Sequence, residues 1–224
     1  MTISIIVPIL NEAAQLPELL EHLLEYKRAA CEILLVDGGS TDQSPEQAEA
    51  LGFTVIYSEK GRAVQMNTGA NAAKGDVLLF LHADTRLPEH AHQIIERALE
   101  NEHVLWGRFN VVITGQAFMF KVIAWFMNQR SRLSSIVTGD QAIFIKRNMF
   151  EKIGGFPDQA LMEDIEFSKK LKRISKPIAL KDKVSTSGRR WEQKGIWRTI
   201  ILMWSLRYAY WRGVSADVLI TKYR

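Results

Sequence analysis

The feature that most narrows the fold is the run Val77-Leu78-Leu79-Phe80-Leu81, which meets His82, Ala83 and Asp84 with no turn residue between. Five consecutive apolar residues after Lys74-Gly75-Asp76 read as a strand covered on both faces, the pattern of a parallel sheet rather than of a half-exposed one. Three further runs share this character: Ile3-Ser4-Ile5-Ile6-Val7, Glu32-Ile33-Leu34-Leu35-Val36 and Phe53-Thr54-Val55-Ile56-Tyr57. Between them lie amphipathic stretches. Leu16, Leu19, Leu20, Leu23 and Leu24 stand at helical spacing, a second stretch runs to Ala50, and a third opens at Gly61-Arg62. Strand and helix in alternation predict an α/β fold with a doubly wound, mainly parallel sheet flanked by helices. Right-handed crossovers would then bring the strand ends Pro8 to Glu12, Asp37, Lys60 to Arg62 and Asp84 to one edge.

Beyond that half the pattern predicts a helix over 89–100, an extended segment over 104–113, a largely apolar helix over 116–132 and a short strand over 142–145. A helix opening at Met162-Glu163-Asp164 has acids in its first turn and Lys169, Lys170, Lys172 and Arg173 in its last, which suits the helix dipole at both ends. Asn11 is placed as the cap of the first helix, and Asp84 is either a cap for a helix near Pro88 or a site residue. His22, His90, His92 and His103 are expected on the surface.

The chain of 224 residues holds a single cysteine, Cys31, which excludes an internal disulfide and fits a reducing compartment. No secretory signal is read at Met1, so the cytoplasm is expected. From Lys181 onward ten Lys and Arg face three acids, against nineteen and twenty-two before it, so a basic tail follows a mildly acidic body. Residues 196–212 are apolar and aromatic, with Arg198, Ser205 and Arg212 on one strip and Arg207 opposite. They are too short and too charged to span a bilayer. Such a helix would pack on the body, form a homodimer contact or lie on an anionic membrane at the inner face.

No G-x-G-x-x-G follows a strand and no Walker A sequence is present, which weighs against a dinucleotide dehydrogenase and a P-loop enzyme. Pyrophosphate charge would instead be met by a cation on Asp84, with His82, two positions away on the expected strand and so pointing the same way, as a second ligand and Lys60 or Arg62 in support. Read together, Ile5-Ile6-Val7-Pro8-Ile9-Leu10-Asn11-Glu12, Val36-Asp37-Gly38-Gly39-Ser40-Thr41-Asp42 and Leu81-His82-Ala83-Asp84 resemble family 2 glycosyltransferases of the GT-A (Rossmann-like) fold. Gly139-Asp140-Gln141, Gly154-Gly155-Phe156 and Glu163-Asp164 follow in that family's order, so the resemblance covers roughly the first 170 residues. Within that family the chain resembles a subgroup of short bacterial transferases found in company with radical-SAM and selenium-related proteins.

The resemblance implies a nucleotide-sugar donor, with uridine favoured, and inverting transfer to an acceptor hydroxyl assisted by Mg2+ or Mn2+. Pro8 and Glu12 would line the base and ribose pocket and Asp37 would bind the base, with Asn11 and Gly39 in the same motifs. Asp84 matches the last acid of the D-x-D metal motif, whereas His82 stands where its first acid is usual. Asp164 matches the general base, with Glu163 beside it, and Asp140 would face the acceptor. Ser187-Gly188-Arg189-Arg190-Trp191 loosely resembles the Gln-x-x-Arg-Trp segment of processive members. Arg189 or Arg190 could clamp a diphosphate there and Trp191 could stack on a sugar or acceptor. Ser187 in the glutamine place gives processivity no support.

These readings divide the chain into a GT-A-like domain over 1–184 and a basic helical extension over 185–224. Within the domain, 1–105 is the nucleotide-sugar half and 106–184 the acceptor half. A lipid-linked acceptor would suit a membrane-surface helix, and no nucleic-acid partner is expected. The alternatives are a nucleotidyltransferase of related fold and a non-catalytic nucleotide- or membrane-binding module.

Overall fold

The computed structural model describes residues 1–223; Arg224, the last residue of the expected extension, lies outside them. The first half alternates as the apolar runs require: β1 (Ile3–Ile9), α1 (Leu16–Arg28), β2 (Glu32–Asp37), α2 (Ser44–Ala50), β3 (Thr54–Tyr57), α3 (Arg62–Ala72) and β4 (Val77–Phe80). These four strands are parallel, in the order β3-β2-β1-β4. The second half comprises β5 (Thr85–Arg86), α4 (Ala91–Leu99), β6 (Trp106–Thr114), α5 (Met119–Ser134), a 3-10 turn (Gly139–Gln141), β7 (Ile143–Lys146), α6 (Arg147–Lys152), α7 (Glu163–Lys172) and β8 (Ile178–Ser187). It completes one eight-stranded sheet, β3-β2-β1-β4-β7-β6-β8-β5. Here β7 runs antiparallel to both β4 and β6, β8 is parallel to β6, and β5 is antiparallel to β8. The sheet is thus mixed, with all its antiparallel pairs in this half. The strand β8 continues to Ser187, and three helices follow: α8 (Arg189–Lys194), α9 (Ile196–Trp211) and α10 (Ala216–Tyr223).

Burial on both faces explains the continuous apolar runs. Ile5, Val7, Leu35 and Leu79 face Leu19, Leu20 and Leu23 of α1, while Ile6, Val36, Leu78 and Phe80 face the opposite layer with Met66, Phe150, Phe156 and Phe167. Gly154 and Gly155 both take positive φ, 73° and 67°, which swings Phe156 into this layer. Phe156 stacks on Phe167 at 4.0 Å and meets Phe80 edge-on at 4.8 Å. Asn67 of α3 fixes it by accepting the Phe156 N–H and donating to its carbonyl, each at 2.9 Å. The Gly-Gly-Phe motif is therefore a packing anchor.

Several local readings change. Asn11 does not cap α1, which begins after Gln15; Asn11 instead takes φ 54° and ties two loops together. Asp84 caps no helix, because α4 starts at Ala91 after a left-handed His90. Nor are all the histidines on the surface. His22 is half-buried and accepts the Leu87 N–H at 3.1 Å, with burial lowering its pKa, and His92 is half-buried with its ring edge-on to Tyr26 at 6.0 Å.

Phe156→Ala should lower the unfolding free energy by about 3–5 kcal/mol, the usual loss for a buried aromatic. Leu133→Ala, at an 85% exposed position, should change it by less than about 0.5 kcal/mol. Urea denaturation monitored by circular dichroism measures both.

Candidate active site

The parallel half delivers its loops to one edge. At the end of β2 the Asp37 carboxylate, 2% exposed, accepts the Gly39 N–H at 2.9 Å, the Ser40 N–H at 3.0 Å and the Ser40 hydroxyl at 2.5 Å. It holds a turn in which Gly39 takes φ 86°. The next loop is bolted to the end of β1: the Thr41 N–H donates to Asn11 Oδ1 at 2.8 Å, the Asn11 N–H to Ser40 Oγ at 2.9 Å, and the Ala13 N–H to Asp42 at 3.0 Å. Asp42 also accepts from Ser44, and these bonds keep its carboxyl below the ordinary range. Beneath both loops the buried Gln65 amide of α3 donates to the Ile9 and Val36 carbonyls, each at 2.8 Å. A side chain at Gly38 would come within 2.9 Å of that amide, so glycine is what fits there.

Beyond β4 the chain turns, and His82 and Asp84 part company. The expected alternation along a strand does not apply, because β4 ends at Phe80. His82 Nδ1 lies 3.3 Å from Asp140 Oδ1, and its Nε2 presses on Gly139 so closely that a Cβ there would sit 2.1 Å away. Asp84 instead meets the hydroxyls of Thr85 at 3.2 Å and Thr186 at 3.5 Å through Oδ1. Its other oxygen has no hydrogen-bond partner among the described residues. Glu12 faces the same space: burial raises its pKa first and the Asp84 charge second, while Arg189 and Arg62 oppose both.

The second half supplies the remaining charges. Asp164, in the first turn of α7, accepts the Gly139 N–H at 3.3 Å. Burial, and next the charge of Glu163, push its pKa from 3.8 to about 7. Glu163 is 4% exposed and lies 3.8 Å from Arg62 Nη1. For Asp140 burial alone would raise the pKa, but the hydrogen bond and charge of His82, with Arg62 and Arg130, hold it below the ordinary range. So Asp37, Asp84, Glu12, Arg62, Asp140, Glu163 and Asp164 gather at one edge, in two linked clusters. Three residues flanking this edge, Asn11, Ala142 and Met162, take left-handed φ values of 54°, 48° and 66°. Such strain in non-glycine residues gathers where surrounding contacts dictate the backbone.

Other expected residues are placed differently. Lys60 is exposed and free of hydrogen bonds among the described residues. Arg190 pairs with no carboxylate among the described residues: its guanidinium lies 4.0 Å over the Tyr223 ring and bonds the Tyr223 hydroxyl. Its neighbour Arg189 is the one in the field of Glu12. Trp191 is half-buried in the first turn of α8. Among the described residues no three His, Cys, Asp or Glu side chains group to hold a metal by themselves.

Arg130 is a site residue that pattern reading missed. Its Nε and Nη2 are buried without a hydrogen bond among the described residues, within the field of Asp164 and Asp140. Burial lowers its pKa, and those two acids oppose the shift. The signal was present, since the apolar run of α5 gives way to Asn128-Gln129-Arg130-Ser131-Arg132. Gln141 reaches back to the same stretch, donating to Ser131 Oγ at 3.0 Å and Asn128 Oδ1 at 3.2 Å.

The sequence profile of glycosyl transferase family 2 matches residues 4–155. The chain belongs to this family. A glycosyltransferase of Haemophilus influenzae described as uncharacterized is 32% identical over 180 residues, which cover 75% of this chain and 61% of that one. Among solved structures, S. aureus TarS 1-349 in complex with UDP-GlcNAc superposes with a TM-score of 0.66 at 20% identity, covering 84% of this chain and 58% of that one. The mannosyltransferase PcManGT from Pyrobaculum calidifontis, in complex with GDP-Man and Mn2+, gives 0.62 at 23% identity, over 82% and 56%. The family 2 chain described here has their GT-A-type α/β fold and spans less than two thirds of the length of each. No described helix is long and apolar enough to cross a membrane.

The raised Asp164 pKa has a stability consequence. The unfolded chain releases this proton near 3.8 and the native protein near 7, so the native state binds more protons between those values. Stability contributed by this group therefore falls as pH rises through that window. Asp164→Asn should flatten that part of the profile of urea midpoint against pH.

Proposed function

We propose that this family 2 chain catalyses inverting transfer of a sugar from a nucleoside-diphosphate sugar, with UDP favoured, to an acceptor hydroxyl, with Asp164 as general base. The observation that carries the reading is Asp164 itself. A carboxyl whose pKa is pushed up to about 7 by burial and by Glu163 is matched to taking a proton from a hydroxyl near neutral pH. In the reaction the acceptor O–H gives its proton to Asp164 while the oxygen bonds to the anomeric carbon. The bond from that carbon to the diphosphate oxygen breaks on the opposite face, which inverts the centre. A transition state of oxocarbenium character follows from this displacement.

The chain's other residues serve the two partners. The turn held by Asp37, with Pro8, Asn11, Glu12 and Gly39, walls the pocket for base and ribose. Arg62, Lys60 and Arg189 supply positive charge for the diphosphate. Arg62, half-exposed and paired with Glu163, links the donor side to the base. Asp140, oriented by His82, faces the acceptor. The donor set of Asp84, an unengaged carboxylate oxygen with Glu12 nearby, is hard oxygen chemistry that suits Mg2+ or Mn2+. A cation held by Asp84 and the donor would neutralise charge developing on the leaving diphosphate. His82 is already engaged at Nδ1 by Asp140, so the reading assigns it to Asp140 rather than to the metal. Donors in the structural relatives, UDP-GlcNAc for S. aureus TarS and GDP-Man with Mn2+ for the archaeal mannosyltransferase, support the substrate class. The likeness to transferases found beside radical-SAM and selenium-related proteins names no substrate. The division of the chain, moved from 184 to the end of β8 at Ser187 because that strand stays paired to β6 up to there, and a cytoplasmic setting belong to this reading as well.

Calorimetry with UDP, GDP and their sugars, each with Mg2+, Mn2+ or EDTA, tests the donor site. One diphosphate should bind in a metal-dependent manner and lose that dependence in Asp84→Ala; no binding under any condition would sink the reading. Once turnover is measured, Asp164→Asn should lower kcat by roughly 100-fold or more with donor affinity retained. The rate of the native enzyme should rise with pH through about 7, because only the deprotonated Asp164 accepts the proton. Glu163→Gln removes the adjacent like charge and should move that midpoint down; an unmoved midpoint would assign the titration to another group.

A further inference from the structure

Helix α9 turns outward what a core helix would bury. Trp197, Ile201, Trp204, Tyr208 and Trp211 are 66%, 67%, 75%, 62% and 76% exposed. Their spacing alternates four and three, so they form one continuous stripe along the helix. Arg198 and Arg212 are exposed along one edge of it, and the partly buried Arg207 lies along the other. The opposite side is anchored: Leu202, Leu206, Ala209 and Tyr210 pack with Leu161, Met162 and Leu219. The stripe is therefore held outward by the fold and is not a loosely docked element.

We propose that α9 is a docking surface for an anionic lipid bilayer, with the tryptophans and Tyr208 at headgroup level and the arginines on lipid phosphates. Tryptophan, tyrosine and arginine are the side chains whose apolar bodies and polar tips suit that boundary. The helix holds two arginines, with Arg212 capping its end, and no acid, and the segment from Lys181 onward carries ten basic residues against three acidic. That charge complements an anionic surface. A second copy fits poorly. In a two-fold antiparallel pairing about Trp204 and Ser205, Arg198 of one chain would meet Arg212 of the other; in a parallel pairing Arg198 would meet Arg198. Like cations would face each other with no acid on either helix. Sixteen residues with two arginines, and a third at their end, are too short and too charged to cross the bilayer, so the helix lies in its plane. The inference rests on the exposure of α9 and on the charge of α9 and the C-terminal segment, and does not depend on the sugar-transfer reading.

Flotation of the full chain with vesicles of phosphatidylglycerol and phosphatidylcholine in equal parts, against pure phosphatidylcholine, tests the surface. The chain should float with the anionic vesicles, with a blue shift of tryptophan emission, and release at high salt. Trp204→Ser/Trp211→Ser and, separately, Arg198→Gln/Arg212→Gln should each weaken binding by roughly tenfold or more. All four sites are exposed, and unchanged urea midpoints would confirm that the variants fold. Absence of flotation, equal binding to neutral vesicles, or unchanged binding by both variants would overturn the proposal. So would a dimer in sedimentation equilibrium that Trp204→Ser dissociates, which would name a second copy as the occupant.

Discussion

The arrangement at the catalytic edge depends on one buried amide. Gln65, reaching from α3, donates to the last carbonyl of the apolar part of β1 and to that of β2, and so fixes the separation of the two strand ends. The loops that bear Asn11, Glu12, Asp37 and Gly39 leave from those ends and are tied to each other by Asp42, Asn11 and Ser40. A helix that packs by apolar contact alone could slide by a fraction of an ångström. Two hydrogen bonds in a site shielded from water fix it, because each would leave a buried carbonyl weakened if broken. The glycine at position 38 is the counterpart of that bond, since any side chain there would occupy the space of the amide.

A second constraint is electrostatic. Glu163, Asp164 and Asp140 lie near one another with Arg62, Arg130 and His82 interleaved. Three carboxylates cannot all be ionised cheaply in such a space. The cations settle which of them gives way. Asp140 has His82 on it and keeps its charge; Glu163 has Arg62 beside it; Asp164 has the backbone N–H groups of Gly139 and Ile165 but no ion pair among the described residues, and is left with the proton. The division of labour between neighbouring acids thus follows from their partners, not from their residue type.

Much of the parallel half was legible because burial on both faces writes itself into consecutive apolar residues, and the crossover rule then orders the strand ends. The second half was less so. β7 enters antiparallel between β4 and β6, and β5 is two residues long, and neither pairing leaves a local trace. Among site residues, the motif acids were found at their positions, but their partners were not. His82 meets Asp140 across 58 residues, Arg190 meets Tyr223 across 33, and Arg130 belongs to a helix whose pattern reads as core. Side-chain pairing over such distances is a property of the packed sheet, which periodicity does not encode. The expectation that His82 and Asp84 share a direction failed for a related reason: it assumed a strand that had already ended.

The left-handed residues Asn11, Ala142 and Met162 bear on any effort to make this chain hardier. Replacing each with glycine would relieve its steric strain, yet it would also widen the range of backbone geometries open to the loops they sit in. The positions where heat resistance is easiest to raise on paper are thus those where the placement of Glu12, Asp140 and Glu163 is most exposed to loss. Engineering for durability would do better to start on the far side of the sheet, among the helices that touch none of these loops.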